Sequence, residues 1–222
     1  MNKIKQKLGY YIGDRAFYKK ALSVAVPIMI QNGITNFVNL LDNVMIGAVG
    51  TEQMTAVSIV NKLIFVYNLC LFGGCAGVGI FTAQFYGKGD YEGVKKSFRL
   101  KVYCNLVVLI LALTALITAG PTLIQLFLHE SETNRDLDLT RTLSYATQYL
   151  SVIIFGIIPQ AVNEAYSSTL RETEHTKLPM VSGIAAIITN LTLNYILIFG
   201  HFGAPALGVR GAAIATVIAK FV

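Results

Sequence analysis

Residues 35–47 read TNFVNLLDNVMIG and set an acid, Asp42, and three amides, Asn36, Asn39 and Asn43, inside a long apolar run. Together with Gln31, Asn32 and Thr35 they project onto one side of a helix, an arc of about 140° at ~100° per residue. The apolar residues between Gly33 and Met45 fill the other side. A carboxylate among amide and hydroxyl oxygens suits a hard cation such as Na⁺, or a proton carried on Asp42; zinc and copper prefer imidazole and thiolate. In hydrocarbon an acid costs at least ~2.5–3.5 kcal/mol, and unpaired amides lose their bonds to water. The stripe is therefore predicted to line a cavity, with Gln31, Thr35 and Asn39 in its wall and Asp42 holding the ion.

Residues that could meet Asp42 follow from depth along neighbouring helices. Asp42 lies about two turns before the end of its apolar run near Val49. Asn190 and Asn194, in ITNLTLNYILIFG, are four apart and share a face. Asn194 lies about two turns before Gly200, and Thr216 about two turns after Gly208. Asp42, Asn190, Asn194 and Thr216 are thus expected to form one cation- or proton-binding set. Asn163, in FGIIPQAVNEAYSS, is a further cavity candidate, because Pro159 can kink its helix and open backbone groups there. Neighbouring Glu164 is expected to snorkel to the membrane surface, as is Lys62 at the start of the second span.

The elements that must position these groups are membrane spans. The chain has 222 residues, of which 54% are hydrophobic and only 14% charged, whereas soluble domains carry about a quarter charged residues. Apolar segments at roughly 20–48, 55–82, 102–128, 143–168, 179–200 and 207 to the end each approach the ~20 residues that cross a bilayer. The expected fold is an all-α membrane protein, a six-helix transmembrane bundle occupying residues 1–222 with a short sixth helix, as in a piece of a longer protein. The first segment contains Pro27 and several amides and is no cleaved signal peptide.

Charge sets the topology. Lys3, Lys5, Lys7, Arg15, Lys19 and Lys20 precede the first span, Lys88, Lys95, Lys96, Arg99 and Lys101 lie between the second and third, and Arg171 and Lys177 between the fourth and fifth. The opposite connections hold only Arg135, Arg141 and Arg210. The positive-inside rule then places the N-terminus in the cytoplasm and the acidic stretch 129–138 outside. The net charge of +6 reads as topology and attraction to the lipid bilayer, with no nucleic-acid partner.

Other motifs carry less. Cys70, Cys75 and Cys104 read as small packing residues in a bundle. GGCAGVG, residues 73–79, lacks the ending of a phosphate loop, and Gly73 with Gly77 is expected to let helices pack closely. His129, His175 and His201 have no partner spacing. No nucleophile is paired with a base, so no enzyme and no cofactor are expected.

Four stretches in order, VPIMIQN…LLDNVMIGAVG, TAQFYGKGD, LRETEHTKLPM and TNLTLNYILIFG…GVRGAAIATVIA, resemble the multidrug and toxic compound extrusion (MATE) transporters. The resemblance implies one lobe of a twelve-helix, two-lobe transporter, here the N-terminal lobe, with a C-terminal lobe of the same chain as partner. It implies a secondary antiporter of the inner (plasma) membrane that exports amphipathic, often cationic compounds against inward Na⁺ or H⁺. Asp42 then matches the family's lobe cation or proton position, Asn190, Asn194 and Thr216 the polar positions around it, and Pro27 the proline at which the first helix bends. Position 194 is Asn where one subfamily has a second Asp, and Glu174-His175 stands where the family often has Gly-Asp, so that turn is expected to differ. A lipid-linked sugar flippase of a related family and a non-transporting membrane subunit are the alternatives; the first calls for a basic cavity, and the spans carry few basic residues.

Overall fold

The computed structural model describes residues 14–130 and 138–222. The predicted basic residues Lys3, Lys5 and Lys7, and most of the acidic stretch, lie outside them. Seven α-helices follow in order: α1 Arg15–Gly47, α2 Thr51–Gly87, α3 Tyr91–Glu130, α4 Leu139–Ile153, α5 Ile157–Glu172, α6 Lys177–Phe199 and α7 Val209–Phe221. A 3-10 turn, Ile154–Gly156, joins α4 to α5, and these together form the fourth span. Five of the elements are long and apolar enough to cross a membrane. Helix α7 has 13 residues, about 20 Å.

Local chemistry sets the boundaries. The Asp14 carboxylate caps α1 by accepting from the Phe17 amide at 2.8 Å, and Asp138 does the same for α4 from Thr140 and Arg141. Pro159 brings no N–H, so the Phe155 carbonyl has no helical donor, and the 3-10 turn falls there. The predicted opening of the fourth helix is thus present, and the Tyr67 hydroxyl donates to the Ile157 carbonyl at 2.7 Å. Gly200 ends α6 in the left-handed region (φ 76°), where a side chain would be strained. The chain then folds back, and the Leu207 amide donates to Leu197 O at 2.9 Å.

Packing centres on α2. Val57, Val60, Ile64, Tyr67, Leu71 and Cys75 recur every three to four residues and are all buried, forming the inward stripe of a helix that is apolar on its outer face as well. They meet α3, α4 and α5, while α6 joins α1 to α7. Gly211 sets the α6–α7 approach: a Cβ there would collide with the Leu197 backbone. The perimeter is the reverse of a soluble protein, with Phe65, Phe72, Phe81, Leu111 and Ile117 all exposed, as lipid requires.

Three sequence expectations change. Gly73 and Gly77 are exposed, and a Cβ on either would meet nothing within 4 Å. The glycine in close contact is Gly79, which faces the Glu172 carboxylate; helix phase relative to neighbours decides this, and sequence spacing does not show it. Lys62 does not begin its helix. It lies three turns beyond Thr51, with its ammonium 5.8 Å from the Phe127 ring centre, a cation–π contact. Lys101 is no loop charge: α3 starts at Tyr91, and Lys101 is fully buried ten residues along it.

Candidate functional site

Three helices meet at Asp42. Helix α1 presents its carboxylate, α6 presents Asn190 and Asn194 one turn apart, and α7 presents Thr216. Asn194 Nδ2 donates to Asp42 Oδ1 at 2.8 Å across 152 residues of sequence. It also donates to Asn190 Oδ1 at 3.1 Å, and Asn190 Nδ2 donates to Thr216 Oγ1 at 3.2 Å. The Thr216 hydroxyl donates to the Ala212 carbonyl at 2.9 Å. All four residues picked from sequence are therefore in one hydrogen-bonded chain. Asn194 is 1% exposed, and its own Oδ1 is buried without a partner among the described residues. An orphaned buried acceptor costs about 1–3 kcal/mol.

The Asn190 amide can sit two ways. As described, its oxygen faces Asp42 Oδ2 at 3.1 Å, acceptor against acceptor. Turned over, its nitrogen donates to Oδ2 at that distance and its oxygen accepts from Thr216 Oγ1 at 3.2 Å. The first arrangement suits a protonated Asp42 or a small cation between the oxygens, and the second a bare carboxylate. Carboxylate, amide and hydroxyl oxygens form a hard donor set that fits Na⁺. Turned over, the Asn190 nitrogen also faces Asn194 Nδ2 at 3.1 Å, donor against donor, so the Asn194–Asn190 bond is lost.

The site opens into a cavity of about 510 Å³ that Thr35, Asn39, Asp42 and Asn43 border from α1. A second chamber, about 480 Å³, reaches Gln31 and Asn163. The four predicted wall residues thus all reach cavity space: Thr35 and Asn39 in one chamber, Gln31 and Asn163 in the other. Gln31 Nε2 also donates to the Pro179 carbonyl at 3.1 Å, tying α1 to α6. Asn32 and Asn36, from the same stripe, are exposed and border neither chamber. Pro27 lies within α1, which runs helical on both sides of it.

Several polar residues escaped the sequence reading. Asn61 and Asn68 of α2 and Gln160 of α5 line the larger chamber, and Tyr149 Oη donates to Asn61 Oδ1 at 3.5 Å. Asn61 and Asn68 are seven apart and so share a face, a signal that was available. Lys220 borders both chambers and lies four residues after Thr216, also a readable spacing.

A second polar cluster sits between α3 and α5. The Lys101 ammonium donates to Ser168 Oγ and Thr169 Oγ1, each at 3.2 Å, and pairs with the Glu172 carboxylate. Nearby, Asn105 Nδ2 donates to the Ala161 carbonyl at 2.9 Å and lies against Cys75 Sγ. Glu164 does not snorkel freely: it accepts from Arg171 Nη2 at 2.9 Å, and both are about three-quarters covered.

The MatE family model matches residues 27–196. A probable multidrug resistance protein NorM from Thermotoga maritima is 29% identical over 92% of this chain and 42% of its own length. The multidrug resistance protein PmpM of Pseudomonas aeruginosa is 28% identical over 91% of this chain and 40% of its own. The chain thus spans about two fifths of the length of these relatives. A crystal structure of MATE in complex with MaD3S superposes with a TM-score of 0.77 at 21% identity, covering 91% of this chain and 43% of that one. An outward-facing multidrug resistance MATE transporter of the MOP superfamily gives 0.71 at 24%, covering 91% and 42%. The fold is that of one lobe of these twelve-helix, two-lobe proteins.

Proposed function

The chain belongs to the MatE family, and on that premise we propose that it forms one lobe of a secondary antiporter. The antiporter extrudes amphipathic, often cationic compounds and draws on inward Na⁺ or H⁺. The observation that carries this reading is the Asp42 site: a lone carboxylate deep in a helical lobe, with a buried amide oxygen beside it that no protein donor meets. A bound cation would compensate the carboxylate, and a proton on Asp42 would let it donate to a facing amide oxygen where two acceptors otherwise meet.

In this mechanism Asp42 takes up the coupling ion, and Asn190, Asn194 and Thr216 supply neutral oxygens. Neutralising Asp42 removes the charge that the Asn194 amide meets, and so changes the contact between α1 and α6. Pro27 gives α1 a place to bend in response. Since the ion site opens into the larger chamber, ion and substrate compete for, or reshape, the same space. A second lobe, supported by the greater length of the relatives, would complete the cavity and rock against this one. The bias of basic residues supports an N-terminus in the cytoplasm, and the family supports a place in the inner membrane.

The test is efflux of a cationic dye from proteoliposomes carrying the complete gene product, driven by an imposed Na⁺ or pH gradient. Asp42→Asn should abolish gradient-driven efflux while the protein still inserts and purifies. Equal rates for wild type and variant at equal protein would refute the role of Asp42.

A further inference from the structure

Two helix stripes continue from the Asp42 chamber toward the cytoplasmic end. On α2, Asn61, Phe65 and Asn68 border the larger chamber, and Phe72 and Ala76 border a third cavity of about 230 Å³. On α5, Gln160 borders the larger chamber, and Glu164, Ser168 and Glu172 border the third cavity. Each series steps by three or four residues and so follows one side of its helix. The two linings are one turn apart on both helices, Asn68 to Phe72 and Gln160 to Glu164, about 6 Å. Gln160 to Glu172 covers three turns, about 18 Å, and Glu172 is the last residue of α5.

The charges of the third cavity are not all spent on packing. Lys101 is sealed, but Glu164 and Arg171 are each about a quarter exposed. Arg171 Nη2 donates to Glu164 Oε1 at 2.9 Å, and the other Glu164 oxygen accepts no hydrogen bond among the described residues. A half-paired carboxylate inside a membrane span is costly as mere packing. The four charges here, Glu164, Glu172, Arg171 and Lys101, balance, so an added cation is held loosely and can leave, as conduction requires. Between the two linings, Asn68 Oδ1 is buried and meets no donor among the described residues. A passing cation or hydronium ion offers that oxygen the partner it lacks.

We propose that the groove between α2 and α5 is the path by which the coupling ion leaves Asp42 for the cytoplasm, with Glu164 as its intermediate station. This rests on the reading of Asp42 as the ion site. Na⁺ passes from oxygen to oxygen with no covalent bond made or broken. A proton leaves the Asp42 carboxyl group, is taken up by the Glu164 carboxylate and is given to water at the cytoplasmic mouth. Arg171, paired with Glu164, keeps either ion from being held too tightly.

The test separates holding the ion from passing it, in the purified complete gene product. Holding is read as the rise in melting temperature with Na⁺ or with acid. Passage is read in proteoliposomes as uptake of radioactive sodium or as acidification of trapped pyranine, each driven by the matching gradient. Glu164→Gln, and the same change combined with Arg171→Met so that no unpaired guanidinium remains, should keep the wild-type melting response. Both should slow ion entry at least about tenfold, in the sodium assay if Na⁺ is the coupling ion and in the pyranine assay if the proton is. Glu164→Asp, which keeps a carboxylate, should recover most of the rate. Wild-type ion entry in the double variant overturns the inference. So does loss of its melting response, which would make the cluster a support of the fold or of the Asp42 site. A wild type that responds to an ion in melting but admits none would leave Asp42 as the site and overturn the path. A wild type that responds to neither ion would sink the Asp42 reading and the path with it.

Discussion

Lys101 and Asp42 are both ionisable groups set among apolar helices, yet their surroundings differ in kind. Around Lys101 every bond is made: two hydroxyls and a carboxylate enclose an ammonium that no water reaches. Around Asp42 the set is unfinished, with one amide donor on one oxygen, the Asn190 amide against the other, and an orphaned acceptor next to it. The first cluster joins α3 to α5 with its ammonium sealed, although Ser168 and Glu172 border a small cavity of about 230 Å³. The second joins α1, α6 and α7 and faces a cavity. A closed buried pair holds helices in one arrangement, whereas an open set is at its lowest energy only when something else arrives.

The sharpest way to break that contrast is to remove one charge from each cluster. Lys101→Met leaves the largely covered Glu172 carboxylate without its buried partner and should cost about 3–5 kcal/mol of stability. Adding Glu172→Leu should recover most of it, measured as thermal unfolding in detergent. Asp42→Asn should cost less than about 1 kcal/mol or stabilise slightly, since it removes a partly desolvated charge from an incomplete site. Comparable losses for the two single variants would erase the distinction.

A smaller effect tests which glycine brings the second cluster together. Gly79→Ala drives a methyl into the Glu172 carboxylate and should destabilise by about 1–3 kcal/mol. Gly73→Ala meets open space and should stabilise by up to about 1 kcal/mol through helix propensity. The same unfolding assay reads both, and reversed signs would put the close contact back at Gly73.

The smallest concerns the turn between α5 and α6. Glu174 has φ 65°, a left-handed conformation that costs a non-glycine residue about 1–2 kcal/mol, and its bridge to Lys20 at 2.8 Å is exposed. Surface bridges contribute about 0–1 kcal/mol, so Glu174→Gly should stabilise by roughly 0.5–1 kcal/mol. A loss of stability would show that the bridge outweighs the backbone strain.

Much of the cavity cluster was legible because depth along a helix is arithmetic. Counting turns from span ends brought Asp42, Asn194 and Thr216 to one level, and the i,i+4 spacing added Asn190. The Lys101 cluster was not legible, for a physical reason. A 40-residue helix is about 60 Å long, twice the ~30 Å hydrocarbon core. Its flank outside the apolar window therefore looks like a charged loop while it packs against α5. Apolar windows mark what crosses lipid and not where a helix ends; Lys62, deep in α2, was misplaced for the same reason. Gly73 against Gly79 needed the phase of α2 relative to α5, which only the packed bundle sets.

The most direct measurement of the central claim is the melting temperature of the purified complete gene product titrated with Na⁺ and, separately, with acid. A ligand that binds only the folded state raises stability by about 2.7 kcal/mol at a hundredfold excess over Kd. Wild type should therefore gain several degrees with one of the two ions, and Asp42→Asn should stay flat under both. A wild type indifferent to both, or a variant that responds as the wild type does, would contradict the assignment of Asp42 as the ion site.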